Sequence, residues 1–554
     1  MRFSLLRLSV LLALGLASPP TSAWSQTADA SQNREALDPV VLGSVPTASA
    51  QEGEEKKPDA QDGQGEDKPK QDAKDGEGKD GDKEAKDKEA KDKDDKEAKD
   101  KSKKDNDKKD NDKKDKEEEP LEPLVLTELP GPVLFLKGER VIVRPGKVLE
   151  NAQVLVRGGR IQNVGTDLVA PEGARVIEGK VICAAFLDPW STLGVDVQSL
   201  RDGSGDASLQ PMDAIDLYEP SWRRERALRA GVTLVESHVA INSGFSGTGV
   251  MLSTNPDLHD PEQAVVLKRT AMWARLERAG DVISRIEEVD NLVGKLKSGE
   301  DYLQSWSSYE TKYTEWQKEI TELQEKLEKD FKKAQKDREK DKEKADKDGK
   351  EFKEKRYKEP KPPRKPRFDA DKEALGHVAR GEMPLVVMAT RAAVLRNLIE
   401  ATSDFPALRL IIAGGDQAMH VAPLLVARNI PVMVWPADPL ADGEAPVETS
   451  GTLSLAGDLA RAGVSVLIGS GEGGSSDALP LYAALAVGYG MPEDHALAAI
   501  TTRVAQAFDA QSEVGQVRRG RRAELLVMDG DPLSVGTQVQ FVVSGGEVVV
   551  EPKE

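Results

Sequence analysis

Residues 496–533, near the carboxyl end of the chain, read ALAAITTRVAQAFDAQSEVGQVRRGRRAELLVMDGDPL. Its first part has the composition of an alanine-rich helix. Its last part, ELLVMDGDPL, has the apolar run and the Asp-Gly turn of a strand. We therefore expect this strand, near the end of the 554-residue chain, to pair with strands from another region.

Other segments with the sequence pattern of strands lie at the start of the folded part of the chain. Short β-branched runs with glycine-containing turns fill residues 133–182, and Arg157-Gly158-Gly159-Arg160 has the composition of a hairpin turn. The same pattern of short apolar runs and glycine-containing turns occurs again only at residues 524–550. The sequence therefore predicts a composite β-sandwich from residues 121–187 and 525–554, with a larger unit inserted between its halves.

The inserted unit, residues 188–279 and 368–524, alternates apolar strands with helical segments. For example, the strand PLVVMAT at residues 384–390 leads into the helical segment RAAVLRNLIEAT. Continuous apolar strands that alternate with helices are typical of a parallel sheet covered by helices. We therefore expect an α/β fold here, either a wound sheet or a (β/α)8 barrel.

A second insertion, residues 280–367, carries two apolar stripes on either side of Ser298-Gly299. Steps of three and four residues place each stripe on one face of a helix. The pattern predicts an antiparallel helical hairpin or coiled-coil arm with a basic tail, acting either as a solvated spacer or as a partner-binding arm. The stripes consist of Val282, Ile286, Val289, Val293 and Leu296, and of Tyr302, Trp306, Tyr309, Tyr313, Trp316, Ile320, Leu323 and Leu327.

The amino-terminal region predicts export. Arg2 and Arg7 flank the apolar run LSVLLALGLA, and Thr21-Ser22-Ala23 supplies the small residues of a cleavage site, so residues 1–23 have the pattern of a signal peptide. We therefore expect a secreted or periplasmic protein. No later run of 18 apolar residues occurs in the sequence, so no transmembrane span is expected in the mature chain.

Residues 24–120 form a charged, low-complexity region. Residues 51–120 hold 28 acidic and 21 basic side chains and almost no apolar surface, so disorder is expected, as a spacer or as an electrostatic tether. The net charge of −19, with no strongly basic region outside such tracts, argues against nucleic acid as a partner. The single cysteine, Cys183, excludes an intrachain disulfide and a cysteine-based zinc cluster.

Two motifs resemble the amidohydrolase superfamily of metal-dependent hydrolases, near its imidazolonepropionase-like and deacetylase-like members. Residues 496–533 follow the family's helix and its VG-x-x-x-x-G-x-x-A-D/E-L-V-V-x-D-G-D-P run, and residues 220–252 follow its AL-x-x-GVT strand and Gly-rich loop. The resemblance covers about residues 133–280 and 371–550. It implies a distorted (β/α)8 barrel with a composite β-sandwich. It also implies one or two divalent ions, such as zinc, held by histidines and an aspartate at the strand ends.

The positions that hold metal in the family carry other residues in this chain. Trp190 and Thr192 stand at the H-x-H of strand one, Met388 and Gly414 at the histidines of strands five and six, and Gly471 at the aspartate of strand eight. An apolar side chain or a glycine neither binds a metal ion nor moves a proton. The resemblance thus implies a degenerate site with no catalytic residue and no cofactor.

The vacated site leaves two possibilities open. Trp190, Thr192, His238, Met388 and Glu472 would line a pocket that suits an uncharged or aromatic ligand. Alternatively, Trp190 fills the space of the metal and only stabilises the fold.

The sequence as a whole predicts an exported, non-catalytic relative of the amidohydrolases that binds a ligand or a partner. An envelope protein or a small molecule would be that partner, and a homo-oligomer or pairing with an active paralogue stays open. The alternative is an active hydrolase of carbon–nitrogen bonds other than peptide bonds, working with a non-standard site.

Overall fold

A computed structural model of the chain describes residues 131–195, 206–213, 215–218, 221–239, 243–276, 282–348, 360–435, 452–471 and 475–552. For residues 331–348 and for Thr452 it describes the backbone only. The predicted signal peptide, the charged region at 24–120 and Glu472 lie outside these residues. The described residues all belong to the unit Thr127–Glu554.

Strands occupy the two ends of this unit, and strands alternate with helices between them. The described strands are β1 (Val133–Arg144), β2 (Lys147–Arg157), β3 (Arg160–Gly165), β4 (Arg175–Ala184), β5 (Phe186–Ser191), β6 (Val232–Ser237), β7 (Gly244–Thr248), β8 (Val250–Ser253), β9 (Val265–Leu267), β10 (Met272–Arg275), β11 (Leu385–Ala389), β12 (Leu410–Gly414), β13 (Val432–Val434), β14 (Val466–Ile468), β15 (Leu525–Met528), β16 (Val539–Ser544) and β17 (Glu547–Val550). The described α-helices are α1 (Trp222–Arg229), α2 (Pro261–Ala264), α3 (Val282–Asp348), α4 (Ala370–Ala379), α5 (Ala392–Ala401), α6 (Ala422–Ala427), α7 (Thr452–Arg461), α8 (Leu479–Gly488), α9 (Glu493–Ala499) and α10 (Thr502–Ala507).

The two ends of the unit share one sheet, in the strand order β17-β16-β15-β4-β1-β2-β3. β4 pairs in parallel with β1 and antiparallel with β15, so the carboxyl-terminal strands extend a sheet begun by the amino-terminal ones. Where two facing sheets were predicted, the structure has a single sheet that curls. Its β3 edge returns to the segment before β15, where Ile161 N donates to Arg521 O at 2.9 Å. Val154, Ile182 and Leu525 are fully buried in the core that the curled sheet encloses.

The inserted unit contains the predicted parallel strands. β10, β11, β12, β13 and β14 are consecutive parallel neighbours. Helices α5, α6 and α7 connect β11 to β14 in turn, which is the strand–helix alternation predicted from the sequence. A second group has the order β5-β6-β8-β9, with β5 and β6 parallel.

Backbone hydrogen bonds join the two groups of strands at both edges. β7 pairs with β10 and β8 pairs with β6, and Gly249 between them exchanges hydrogen bonds with Ala271 O and Thr270 N. At the opposite edge, Gly471 N donates to Trp190 O at 3.0 Å, just beyond the ends of β14 and β5. The strands therefore form one continuous hydrogen-bonded series.

The predicted helical hairpin is wrong, because α3 runs unbroken for 67 residues through Ser298-Gly299. At about 1.5 Å per residue its length is about 100 Å. Its first third packs on α4 and α5 through Val289, Leu292 and Leu296. The chain returns along the helix as an extended segment, residues 360–369, and not as a second helix.

Close packing explains why Gly299 does not end the helix. A Cβ at Gly299 would lie 2.5 Å from Gly376 N, and a Cβ at Gly376 would lie 2.6 Å from Gly299 O. The two glycines therefore let α3 and α4 cross with their backbones in contact. Despite the length of α3, no helix within the described ranges has a stretch apolar enough to cross a bilayer.

Replacing Gly299 by Ala should lower the free energy of unfolding by about 1–3 kcal/mol, because the added methyl forces the two helices apart. The matched control is Gly294→Ala on the same helix, where a Cβ meets nothing within 4 Å. That change should add about 0.5–1 kcal/mol by removing glycine from a helix interior. Urea denaturation of both variants measures the difference, and equal stabilisation at the two positions would contradict the close crossing.

Candidate functional site

Three tryptophans from three strands meet in one apolar cluster. Trp190 lies on β5, Trp273 on β10 and Trp435 directly after β13. Trp190 is 3% exposed and Trp273 is 1% exposed, while Trp435 packs against the cluster and is half-buried. Position 190, where the family resemblance would place a metal-binding histidine, is therefore inside the core.

The indole rings contact one another. The ring centroids of Trp190 and Trp273 are 6.3 Å apart at an interplanar angle of 44°, and those of Trp190 and Trp435 are 6.2 Å apart at 70°. Both pairs have the tilted or edge-to-face geometry of directly packed aromatic rings, for which centroid distances of about 4.5–7 Å are usual. A ligand has no space between rings at these separations.

Glycines make room for two of the rings. A Cβ at Gly469 would lie 2.6 Å from Trp190 Cβ, and a Cβ at Gly471 would overlap the Trp435 ring. The backbone of Gly471 has a φ of +77°, which also disfavours any other residue. Trp435 thus occupies the space that an aspartate side chain would need at position 471.

The remaining predicted site residues have different surroundings. Met388 on β11 is half-buried and packs against the tryptophan cluster. Gly414 ends β12 with a φ of +86°, a conformation that strains a histidine. Thr192 is half-buried in the turn after β5, where its carbonyl accepts from Val195 N at 3.1 Å. The structure therefore brings Trp190 and Met388 into one cluster.

His238 and Glu236 form a buried polar pair beneath the tryptophans. The His238 ring stacks on Trp273, with centroids 3.5 Å apart and an interplanar angle of 4°. Glu236 Oε1 accepts from Trp273 Nε1 at 2.9 Å and from Thr270 Oγ1 at 2.8 Å, and Glu236 Oε2 lies 3.5 Å from His238 Nδ1. His238 and Glu236 are at most 1% exposed. The carboxylate therefore positions the indole of Trp273.

Asp188 fastens β5 to the segment after β14. Its carboxylate accepts from Trp190 N at 3.1 Å, from Ser470 N at 3.0 Å and from Ser470 Oγ at 2.6 Å. Burial raises the pKa of the Asp188 carboxyl above its ordinary value, although these hydrogen bonds act in the opposite direction. These hydrogen bonds hold the end of β5 against the segment after β14.

Sequence reasoning missed Trp273 and Trp435. Trp435 ends the apolar strand IPVMVW, and Trp273 lies in the short strand MWAR. A signal was present, since three of the seven tryptophans of the chain fall on or beside strands of the inserted unit. The contacts among the three tryptophans could not be predicted from the sequence, because they depend on which strands are neighbours in the fold.

The residues at this place do not fit a divalent metal ion. Among the residues that the structure describes, no group of three or more His, Cys, Asp or Glu side chains is arranged to hold one. Of the nearest polar groups, Glu236 Oε1 accepts two hydrogen bonds and His238 is stacked face to face on Trp273. The indole of Trp435 fills the space beside Gly471.

Comparison with solved structures finds amidohydrolases. An amidohydrolase from Thermotoga maritima MSB8 superposes with a TM-score of 0.54 at 20% identity, over 76% of this chain and 100% of that chain. A. niger ochratoxinase gives 0.45 at 14% identity, over 76% and 97% of the two chains. No family model and no curated protein matches the sequence. The match to the Thermotoga maritima protein shows that the chain has the amidohydrolase fold, which confirms the resemblance at the level of the fold.

Substitution of Asp188 tests the hydrogen bonds that its buried carboxylate accepts from Trp190 and Ser470. Asp188→Ala should lower the free energy of unfolding by about 3 kcal/mol, because it leaves buried backbone donors unpaired. Asp188→Asn should cost less than about 1 kcal/mol, because its amide oxygen still accepts from Trp190 N and Ser470 N while its NH₂ donates to Ser470 Oγ.

The same variants should differ in their dependence on pH. A carboxyl whose pKa is raised on folding stabilises the folded state most when it is protonated. Its contribution is therefore complete below about pH 3.9 and is lost as the pH rises through the folded-state pKa. Urea denaturation at a series of pH values should show this loss in the wild type and not in Asp188→Asn. Parallel profiles for the two proteins would contradict the assignment.

Truncation of Trp190 distinguishes a core residue from a ligand platform. Trp190→Ala should cost about 3–5 kcal/mol of unfolding free energy, as for other large-to-small changes in a core. Trp222→Ala, at a tryptophan that is 49% exposed on α1, should change it by less than about 1 kcal/mol. Thermal and urea unfolding measure both. An unchanged stability in Trp190→Ala would support the ligand platform instead.

Proposed function

We propose that this protein is a non-catalytic relative of the amidohydrolases that acts by binding a partner. The observation that carries the proposal is the mutual packing of Trp190, Trp273 and Trp435 where the fold family would place its metal site. A packed aromatic core stabilises the fold and leaves no activated water for hydrolysis. The tryptophans then fill the site and stabilise the fold, and the partner binds to another surface.

The proposal includes a distorted eight-stranded barrel. In order, the barrel would contain β5, β6, the strand formed by β7 and β8, β10, β11, β12, β13 and β14. Its closure is supported by the hydrogen bonds of Gly249 with β10 and of Gly471 with Trp190 O. The strand of β7 and β8 runs antiparallel to its neighbours, which accounts for the distortion.

Export remains part of the proposal, on the basis of residues 1–23. A secreted or periplasmic chain would find its partner in the cell envelope or outside it. An active paralogue or a second copy of this chain would fit the same role, since a non-catalytic subunit often supports a catalytic one.

One observation favours a second candidate function, hydrolysis of a carbon–nitrogen bond other than a peptide bond. Glu236 and His238 form a buried carboxylate–imidazole pair with a separation of 3.5 Å, which is a composition used for general base catalysis. The pair is covered by Trp273, so substrate access would require the indole to move.

Metal content tests the non-catalytic reading, and amide hydrolysis separates it from the second function. Protein purified without chelator should contain no stoichiometric zinc, manganese or iron, and excess zinc should leave the melting temperature unchanged. A bound ion at 100 times its Kd would add about 2.7 kcal/mol of stability. About one tightly held metal per chain would overturn the proposal. Release of amine from an amide substrate that Glu236→Gln abolishes and Glu493→Gln retains would support the hydrolase.

A further inference from the structure

The arm formed by α3 has a second component, residues 360–369, which we call the strap. The strap reads PKPPRKPRFD. It runs in the opposite chain direction to α3, with Pro360 at Trp316 and Asp369 at Tyr302. The aromatic residues along α3, the aromatic stripe, form consecutive ring contacts with centroid distances of 5.4–6.3 Å. The aromatic stripe consists of Tyr302, Trp306, Tyr309, Tyr313 and Trp316.

The burial of the strap repeats every three residues. Pro360, Pro363, Pro366 and Asp369 are half-buried, and every residue between them is exposed. Three residues per turn is the period of a polyproline II helix, which rises about 3.1 Å per residue. One edge of the strap therefore faces the aromatic stripe, as proline-rich ligands face aromatic grooves.

Three contacts fix the strap in register. Trp316 Nε1 donates to Pro360 O at 3.0 Å, Lys365 Nζ lies 5.5 Å from the centre of the Trp306 ring, and Asp369 N donates to Tyr302 Oη at 3.2 Å. From Trp316 to Trp306 the helix rises about 15 Å, and the five residues from 360 to 365 also span about 15 Å. The two elements thus match in length between the Pro360 and Lys365 contacts.

The exposed edge of the strap carries a row of cations. Lys361, Arg364 and Arg367 are three residues apart, so they share one edge and repeat at about 9.3 Å. None of these three cations forms an ion pair with any side chain that the structure describes. The row is held on an ordered support, so binding need not order the chain first.

We propose that this row, which we call the cation row, is the docking site for an extended acidic peptide. A peptide in the same extended conformation with a carboxylate at every third residue repeats its charge at the same spacing of about 9.3 Å. Three opposite charges in register attract the peptide and select its spacing. The inference rests on the proposed function, because it supplies the surface and the kind of partner for a protein that binds without catalysis.

The charge of the helix beneath the strap favours a single narrow chain over a flat anionic surface. Residues 301–330 of α3 contain eight acidic and four basic side chains. An anionic membrane that approached the cation row would also approach these carboxylates. A single extended peptide can follow the cation row and avoid them.

Fluorescence anisotropy of the full-length protein with labelled peptides tests the proposal. The probe is (Glu-Pro-Pro)₄, and the comparison peptide has the same composition with its four glutamates adjacent. The first peptide should bind at least five-fold more tightly, and raising the salt concentration should weaken its binding. Equal affinity for the two peptides would overturn the proposal.

Two triple variants identify the surface. Lys361→Gln, Arg364→Gln and Arg367→Gln together should weaken binding at least ten-fold. Lys312→Gln, Lys318→Gln and Lys326→Gln on the exposed side of α3 change the net charge equally and should weaken it less than three-fold. Equal losses in the two triple variants would overturn the proposal. Since all six side chains are exposed, circular dichroism should show unchanged helix content.

A third variant tests the support and not the charges. Trp306→Ala with Trp316→Ala removes the contacts at Lys365 and Pro360 but keeps every cation, and it should weaken binding at least three-fold. Unchanged binding would overturn the role of the ordered strap. Binding of phosphatidylserine vesicles that requires the cation row, without binding of the peptide, would assign it to a lipid surface instead. Metal content and hydrolysis are measured separately, so a catalytic protein that binds the peptide would overturn only the proposed function.

Discussion

The carboxylate of Asp188 is the interaction on which the inserted unit depends. It reaches from β5 to the backbone and hydroxyl of Ser470 and also holds the amide of Trp190. The ends of the first and last strands of the inserted unit are therefore joined by one buried acid. Because that acid also fixes the backbone of Trp190, the position of the indole follows from the same hydrogen bonds. Trp273 and Trp435 pack against the ring held in this position.

The tryptophan cluster fills the space at the strand ends of the inserted unit. An empty cavity at this place would lower stability, so the space between the strand ends must be filled. Here indole rings fill that space, and glycines at 469 and 471 make room for them. The buried Glu236 accepts through Oε1 from the indole Nε1 of Trp273 and the hydroxyl of Thr270, while its Oε2 lies 3.5 Å from His238 Nδ1. Apolar packing and neutral hydrogen-bond donors thus surround this carboxylate.

Patterns within single elements were readable from the sequence, and contacts between elements were not. The spacing of Tyr302, Trp306 and Tyr309 predicted a half-buried helix face, which α3 has. The same spacing suggested a second helix as its partner, whereas the partner is a proline-rich strap, because a stripe on one element does not specify what covers it. Ser298-Gly299 was misread as a turn for a related reason. A glycine that permits two backbones to touch has the same composition as one that ends a helix.

The different rises of the two elements of the arm constrain how its length can change in evolution. The helix advances about 1.5 Å per residue and the strap about 3.1 Å, so one residue of strap is matched to about two of helix. An insertion in either element alone would move Pro360 away from Trp316, or Lys365 away from Trp306. Insertions and deletions in homologous arms should therefore be tolerated as coupled pairs, with about two helix residues for each strap residue. Between the Pro360–Trp316 and Lys365–Trp306 contacts, the lengths of the helix and the strap must therefore change together.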